Sequence, residues 1–216
     1  HEGTRWSTAK GYLKNIAKQE NICIITSCLV DRLLFSNNKC NGLIFKRKSE
    51  FFSAKCKNGV ILAAGSIGNP CILQRSGIGT PKHIAGIGIK PFKNLEGVGN
   101  NLQDHLELYF QVKCKQPISL FKNNNLLSKA RIFLEWYFFR KGLGTSNQFE
   151  TLGFIKTDRN QQYPNLQYHF LPLAINYDGS SPYKGHGFQF HVGTMRSKSR
   201  GTVAIKNSDP TSHPLI

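Results

Sequence analysis

Gly59-Val60-Ile61-Leu62-Ala63-Ala64-Gly65-Ser66-Ile67-Gly68-Asn69-Pro70-Cys71-Ile72-Leu73-Gln74-Arg75-Ser76-Gly77-Ile78-Gly79 carries the most structural information in the chain. Its first part is a short apolar run closed by glycine, the pattern of a buried strand. Asn69 and Pro70 then stand as N-cap and first residue of a helix over 71–75, and Gly77 and Gly79 make a second turn. Small residues at a strand end let a ligand approach the backbone, and a helix N-terminus favours anionic groups. By geometry alone, the same pattern fits any tight strand–helix junction.

On the N-terminal side, Ser7 is placed to cap a helix whose face is Ala9, Tyr12, Leu13, Ile16 and Ala17. Strands are expected over 22–26, 29–35 and 42–45, with Asn37-Asn38 turning between the last two, and another near 51–56. Thr80 and Pro81 repeat the cap arrangement for a second short helix ended by Gly86 and Gly88. After Asp104-His105 the character changes. Residues 106–115 alternate, the pattern of an antiparallel strand with one wet face, and 126–140 form an aromatic-rich amphipathic helix. Further strands are expected over 149–156, 166–170, 187–195 and 201–206. The expected class is mixed α/β (α+β), with one part over 1–105 and a strand-rich part over 106–216.

The 216 residues carry 29 Lys and Arg against 12 Asp and Glu, a net charge of +17. A hydrophobic content of 39% with 11% aromatic residues supports a packed core and excludes wholesale disorder. The basic charge is spread evenly along both halves, without the stripe or block of a nucleic-acid-binding module, so no nucleic-acid partner is expected. No apolar run reaches the roughly 18 residues of a membrane span. Cys23, Cys28, Cys40, Cys56, Cys71 and Cys114 form no Cys-x-x-Cys pair and have no histidine at zinc-finger spacing, so they read as reduced thiols and no metal site is expected. The sequence opens at His1 and stops at Ile216 without terminal signals, as expected of an internal piece of a longer protein.

The stretch from Gly65 to Gly79 closely resembles the second signature of the glucose–methanol–choline (GMC) flavin oxidoreductases, with Asn69 in place of the usual Ser or Thr. Leu95-Glu96-Gly97-Val98-Gly99-Asn100-Asn101-Leu102-Gln103-Asp104-His105 is similar to another segment of that family, with Glu96 in place of a proline. Arg5 to Leu13 resembles the helix that precedes the family's adenine-side strands. Asn101 to Tyr109, Pro164 to Pro172 and His186 to Gly201 most resemble the choline dehydrogenase branch.

The resemblance implies part of a Rossmann-like FAD-binding domain over 1–105 and part of an antiparallel-sheet substrate-binding domain over 106–216. It implies FAD contacts at Val30, whose backbone would hold the adenine, at Ala64, Gly65 and Ser66 by the ADP half, and at Asn101, Asp104 and His105 near the flavin. On its residues alone, Val30 reads first as an ordinary core valine, and the resemblance reverses that reading. The resemblance also implies choline as substrate, oxidised to betaine aldehyde and onward to glycine betaine. Electrons would pass to a membrane acceptor, a quinone or the respiratory chain, rather than to oxygen. The expected location is the cytoplasmic face of a membrane, the bacterial inner membrane or, in a eukaryote, the mitochondrial inner membrane.

A trimethylammonium group has permanent charge and no hydrogen to donate, so its pocket needs a carboxylate and aromatic faces. Glu150 beside Phe149 is the right chemical pair and matches the place of the ammonium-facing carboxylate in choline-oxidising relatives. Alone, Glu150 also reads as a surface glutamate on a strand. None of His1, His83, His105, His169, His186, His191 and His213 matches the family's catalytic histidine, which is expected beyond Ile216. The family's Gly-x-Gly-x-x-Gly turn is expected before His1. No catalytic residue is therefore assigned within the 216 residues, and they are expected to be inactive alone. Three other functional readings stay open: oxidation of an uncharged alcohol by a GMC dehydrogenase, a basic nucleic-acid-binding module, and a remnant with no activity.

Overall fold

The computed structural model describes residues 1–149, 151–176 and 185–216. They form two compact units, each built from two chain segments: Cys23–Gln103 with Lys198–Ile216, and His1–Ile22 with Asp104–Ser197. This grouping differs from the expected consecutive parts, 1–105 and 106–216, at residues 1–22, 104–105 and 198–216.

The first unit begins with an antiparallel meander, β1 (Cys28–Ser36), β2 (Lys39–Arg47) and β3 (Glu50–Lys55), in the order β1-β2-β3. Asn37 and Asn38 both have positive φ (47° and 61°), which suits the two-residue hairpin turn that matches strand twist. The β1–β2 register shifts between Val30 and Arg32. That irregularity falls at Asp31, which is 2% exposed; such a shift re-aims a side chain.

Next come α1 (Gly65–Arg75), β4 (Ile78–Gly79), α2 (Pro81–Gly86) and β5 (Lys93–Asn94), with β4 and β5 paired in parallel. Thr80 and Pro81 start α2 as the sequence predicts. Cys71 of α1 packs on Val203 and Ile205, with Ile87, Ile89 and Leu102 against them. Burial pushes the Cys71 thiol above its ordinary pKa. All six cysteines are free thiols.

Several expectations are corrected here. Residues 59–64 form no strand, and Ile61 is 94% exposed, because no neighbouring strand among the described residues pairs with them. The helix starts at Gly65, so Asn69 is not its N-cap and Pro70 lies inside it. Pro70 is near enough to the start that the bond it removes is to the Ser66 carbonyl of the first turn. Residues 22–26 are irregular. Residues 201–206 make only isolated bridges, Leu102 to Gly201 and Ala204 to Leu215, because other groups engage their backbone. The Gln74 amide donates to the Val203 carbonyl (2.8 Å) and accepts from Ile205 N–H (2.9 Å).

The second unit holds β6 (Glu107–Lys113), α3 (Leu126–Phe139), β7 (Thr151–Ile155), β8 (Leu166–Leu171) and β9 (Gly187–Thr194). The strands form one antiparallel sheet in the order β6-β9-β8-β7. Asn125 caps α3 by accepting from Ser128 N–H at 2.8 Å, and Arg140 ends it in the left-handed region. The helix expected after Ser7 is reduced to a π-helical turn over Ala9–Leu13, with Tyr12 75% exposed. Register places Glu107, Tyr109, Gln111, Gln167, His169, Gln189 and His191 on one face. Phe110, Phe170, Phe188 and Phe190 share the other. No helix among the described residues is long and apolar enough to cross a membrane.

Candidate functional site

In the first unit, a cleft of about 390 Å³ runs between the first turns of α1 and the segment 97–103; Ser66, Asn69, Gly99 and Asn101 line it. Ala64 precedes α1 without a side-chain cap, and residues 64–67 are exposed, so the first-turn N–H groups face outward. Gly65 has φ +81° but open space where a Cβ would lie, so glycine supplies a backbone conformation there. Asn101 also sits at positive φ, 61°.

Asn69 acts from inside the helix. Its Oδ1 accepts from Ala64 N–H at 2.8 Å and its Nδ2 donates to the Leu62 carbonyl at 3.5 Å, clasping the approaching chain to the helix start. Asn69→Ala is expected to lower stability by about 1 kcal/mol, a typical figure for losing a helix-end side-chain bond. A urea titration should show a lower midpoint with an unchanged slope.

Val30 is half-buried in β1, and the far end of α1 holds its carbonyl. Arg75 Nη2 donates to Val30 O (3.4 Å) and Nε to Asp31 O (2.8 Å), with Nε 3.3 Å from Asp31 Oδ1. Arg32 also pairs with Asp31. Burial pulls the Arg75 guanidinium below its ordinary pKa, and the Asp31 carboxylate opposes that shift. The structure thus brings Ser66 and Asn101 to one cleft, with Ala64 and Gly65 at its helix end.

The second unit carries a cavity of about 490 Å³ on the polar face of its sheet; Glu107, Tyr109, Phe149, His169, Gln189 and His191 are among its walls. The Phe149 ring stands edge-on to His169 (6.1 Å) and His191 (5.7 Å), and Tyr109 stacks on His191 at 5.8 Å. His191 Nδ1 lies 3.0 Å from Glu107 Oε2, and its Nε2 lies 2.6 Å from Gln189 Nε2. Glu107 and His169 also line a smaller cleft, about 180 Å³, with His105. Asp104 Oδ1 accepts from His105 N–H at 2.8 Å, and both residues are exposed. Glu150 lies outside the described residues.

Sequence reasoning weighed His169 and His191 only as catalytic histidines and gave Glu107 and Gln189 no role. The signal was present as alternation: Glu107-x-Tyr109-x-Gln111, Gln167-x-His169 and Gln189-x-His191 each put hydrogen-bonding groups at every second residue. An acid beside aromatic rings in a walled cavity is suited to receiving a cation.

A family model described as GMC oxidoreductase matches residues 1–107. Proteins named oxygen-dependent choline dehydrogenase from Stenotrophomonas maltophilia (strain K279a) and Burkholderia vietnamiensis (strain G4) are 47% and 46% identical over 215 residues. The match covers 100% of this chain and 38% of each relative, so the chain spans about two fifths of the length of these curated relatives. Among solved structures, a formate oxidase aligns over the whole chain and 42% of its own, with TM-score 0.90 and 21% identity. An FAD-dependent oxidoreductase from Chaetomium thermophilum aligns over 93% of this chain and 41% of its own, with TM-score 0.74 and 22% identity. At these identities the structural likeness concerns the fold alone, a mixed helix-and-sheet architecture.

Proposed function

The chain belongs to the GMC oxidoreductase family, and from that premise we propose that the full-length protein oxidises choline to betaine aldehyde, and onward to glycine betaine, with FAD as cofactor. The observation that carries this reading is 46–47% identity, sustained over the whole chain, to proteins named choline dehydrogenase.

The residues present fit FAD. An uncapped helix start with exposed N–H groups beside an open cleft suits an anionic dinucleotide. In this reading the Val30 backbone, Ala64, Gly65 and Ser66 hold the ADP half, and Asn101, Asp104 and His105 lie toward the flavin. Bound FAD supplies the acceptor for the hydride that leaves the alcohol carbon. The chain's own part is to bind and orient the substrate. Glu150 would supply the negative charge opposite the trimethylammonium group and Phe149 an aromatic face for it.

For the electrons we propose transfer to a membrane carrier such as a quinone, with the enzyme at the cytoplasmic face of the inner membrane. The relatives' printed name instead favours dioxygen. Oxygen uptake measured against quinone reduction, with choline as donor, decides between the two.

Glu150→Gln in the full-length enzyme tests the substrate. Loss of a single opposing charge should lower kcat/KM for choline by about tenfold or more, with 3,3-dimethylbutan-1-ol, its neutral isostere, unchanged. Wild-type enzyme turning over both alcohols equally well would instead assign an uncharged alcohol.

A further inference from the structure

Glu107 opens β6 on the polar face of the sheet, and it is the one charged side chain among the described residues lining the cavity of about 490 Å³. We propose that Glu107 is a second fixed negative charge in that cavity, held by His191 and Gln189, and that it determines preference for a cationic amino alcohol. This rests on the substrate reading above and assigns a residue that reading does not use.

The hydrogen-bond directions follow from one end of the network. Gln189 is 2% exposed, and its Oε1 accepts from Ile175 N–H (2.9 Å) and from Gln111 Nε2 (3.2 Å). Turning the amide over would set nitrogen against both donors, so its orientation is locked. Gln189 Nε2 therefore points at His191 Nε2, and an amide nitrogen only donates. His191 Nε2 must accept, which leaves the proton of the neutral ring on Nδ1. From there it is donated to Glu107 Oε2.

The other carboxylate oxygen, Oε1, has no hydrogen-bond partner among the described residues, and the side chain is 35% exposed. No Lys or Arg pairs with Glu107 among the described residues. The chain carries +17 overall, yet its cavity presents a carboxylate beside the rings of Tyr109 and Phe149. A carboxylate with no Lys or Arg pair among the described residues, between aromatic walls, favours a bulky cation that offers no hydrogen bond. His191 and Gln189 act through Glu107 and are positioning residues.

The test uses the full-length holoenzyme. Binding of tetramethylammonium is measured by calorimetry, and turnover is measured on choline and on 3,3-dimethylbutan-1-ol. Glu107→Gln should raise the Kd for tetramethylammonium and the KM for choline by about tenfold, leaving the neutral alcohol unchanged. Gln189→Leu, which frees the imidazole, should raise KM for choline by a smaller factor at constant kcat. An unchanged tetramethylammonium Kd in Glu107→Gln overturns the proposal, and so does an equal loss on both alcohols. Where that variant does not fold, Glu107→Asp withdraws the charge by one methylene and carries the same test: weaker tetramethylammonium binding supports the proposal and an unchanged Kd overturns it. Wild-type enzyme that binds tetramethylammonium through Glu107 without oxidising choline supports the cation site and removes the choline reading.

Discussion

Arg75→Met destabilises the full-length protein by about 3–5 kcal/mol, the usual cost of removing one partner of a buried ion pair. Asp31 is 2% exposed and Arg75 7%, so the orphaned carboxylate cannot recover its hydration. Arg32 continues to pair with Asp31, but its side chain is 48% exposed and contributes little against that cost. The variant also strands the Val30 and Asp31 carbonyls that Arg75 now serves. A urea titration of the full-length protein should show the loss as a lower midpoint. Adding Asp31→Leu should return most of it, since an apolar pair of similar size often replaces a buried ion pair without loss. A double variant as unstable as Arg75→Met would show that the ion pair is not the cause.

Gly99→Ala has the second large effect, an expected loss of about 3–5 kcal/mol. Gly99 has φ +84°, and a Cβ there would overlap the Gln74 amide nitrogen and the Val203 carbonyl. Both are buried and already bonded to each other. Gly99 itself accepts from Val203 N–H at 2.7 Å. The methyl group must break that junction, and three buried polar groups then lose partners. Gly86→Ala is the control: a Cβ there meets nothing within 4 Å, and its φ is not in the left-handed range. It should be neutral or slightly stabilising, because alanine is the better helix former. Because Gly99 also lines the cleft with Ser66 and Asn101, its replacement should lower the flavin content of purified full-length enzyme, read from absorbance.

Local chemistry was readable from sequence where few alternatives satisfy the backbone. Asn37-Asn38 fixed a hairpin because both residues tolerate positive φ. Thr80-Pro81 fixed the start of α2, since proline presets φ and needs no amide partner there. The alternation of 106–115 fixed a strand to within two residues, and the strand expected over 187–195 spans Gly187–Thr194, although neither reading said which face would matter. The helix expected to begin at Pro70 instead starts at Gly65, more than a turn earlier. Asn69 illustrates the limit. Its residue type suits an N-cap, yet from five residues inside the helix its side chain reaches back to Ala64 and Leu62.

By itself the sequence determined the hairpin, the aromatic helix, the antiparallel strands and membership of a flavoenzyme family, because each depends on neighbours a few residues apart or on a contiguous motif. Tertiary structure alone decided that Gln74 would bond to groups 129 and 131 residues away, displacing a strand at 201–206, and that Glu107 would meet His191 across 84 residues. The physical reason is that a buried polar group must find its complement somewhere in the fold. Period and propensity state that the requirement exists, and only the packed chain says which distant atom meets it.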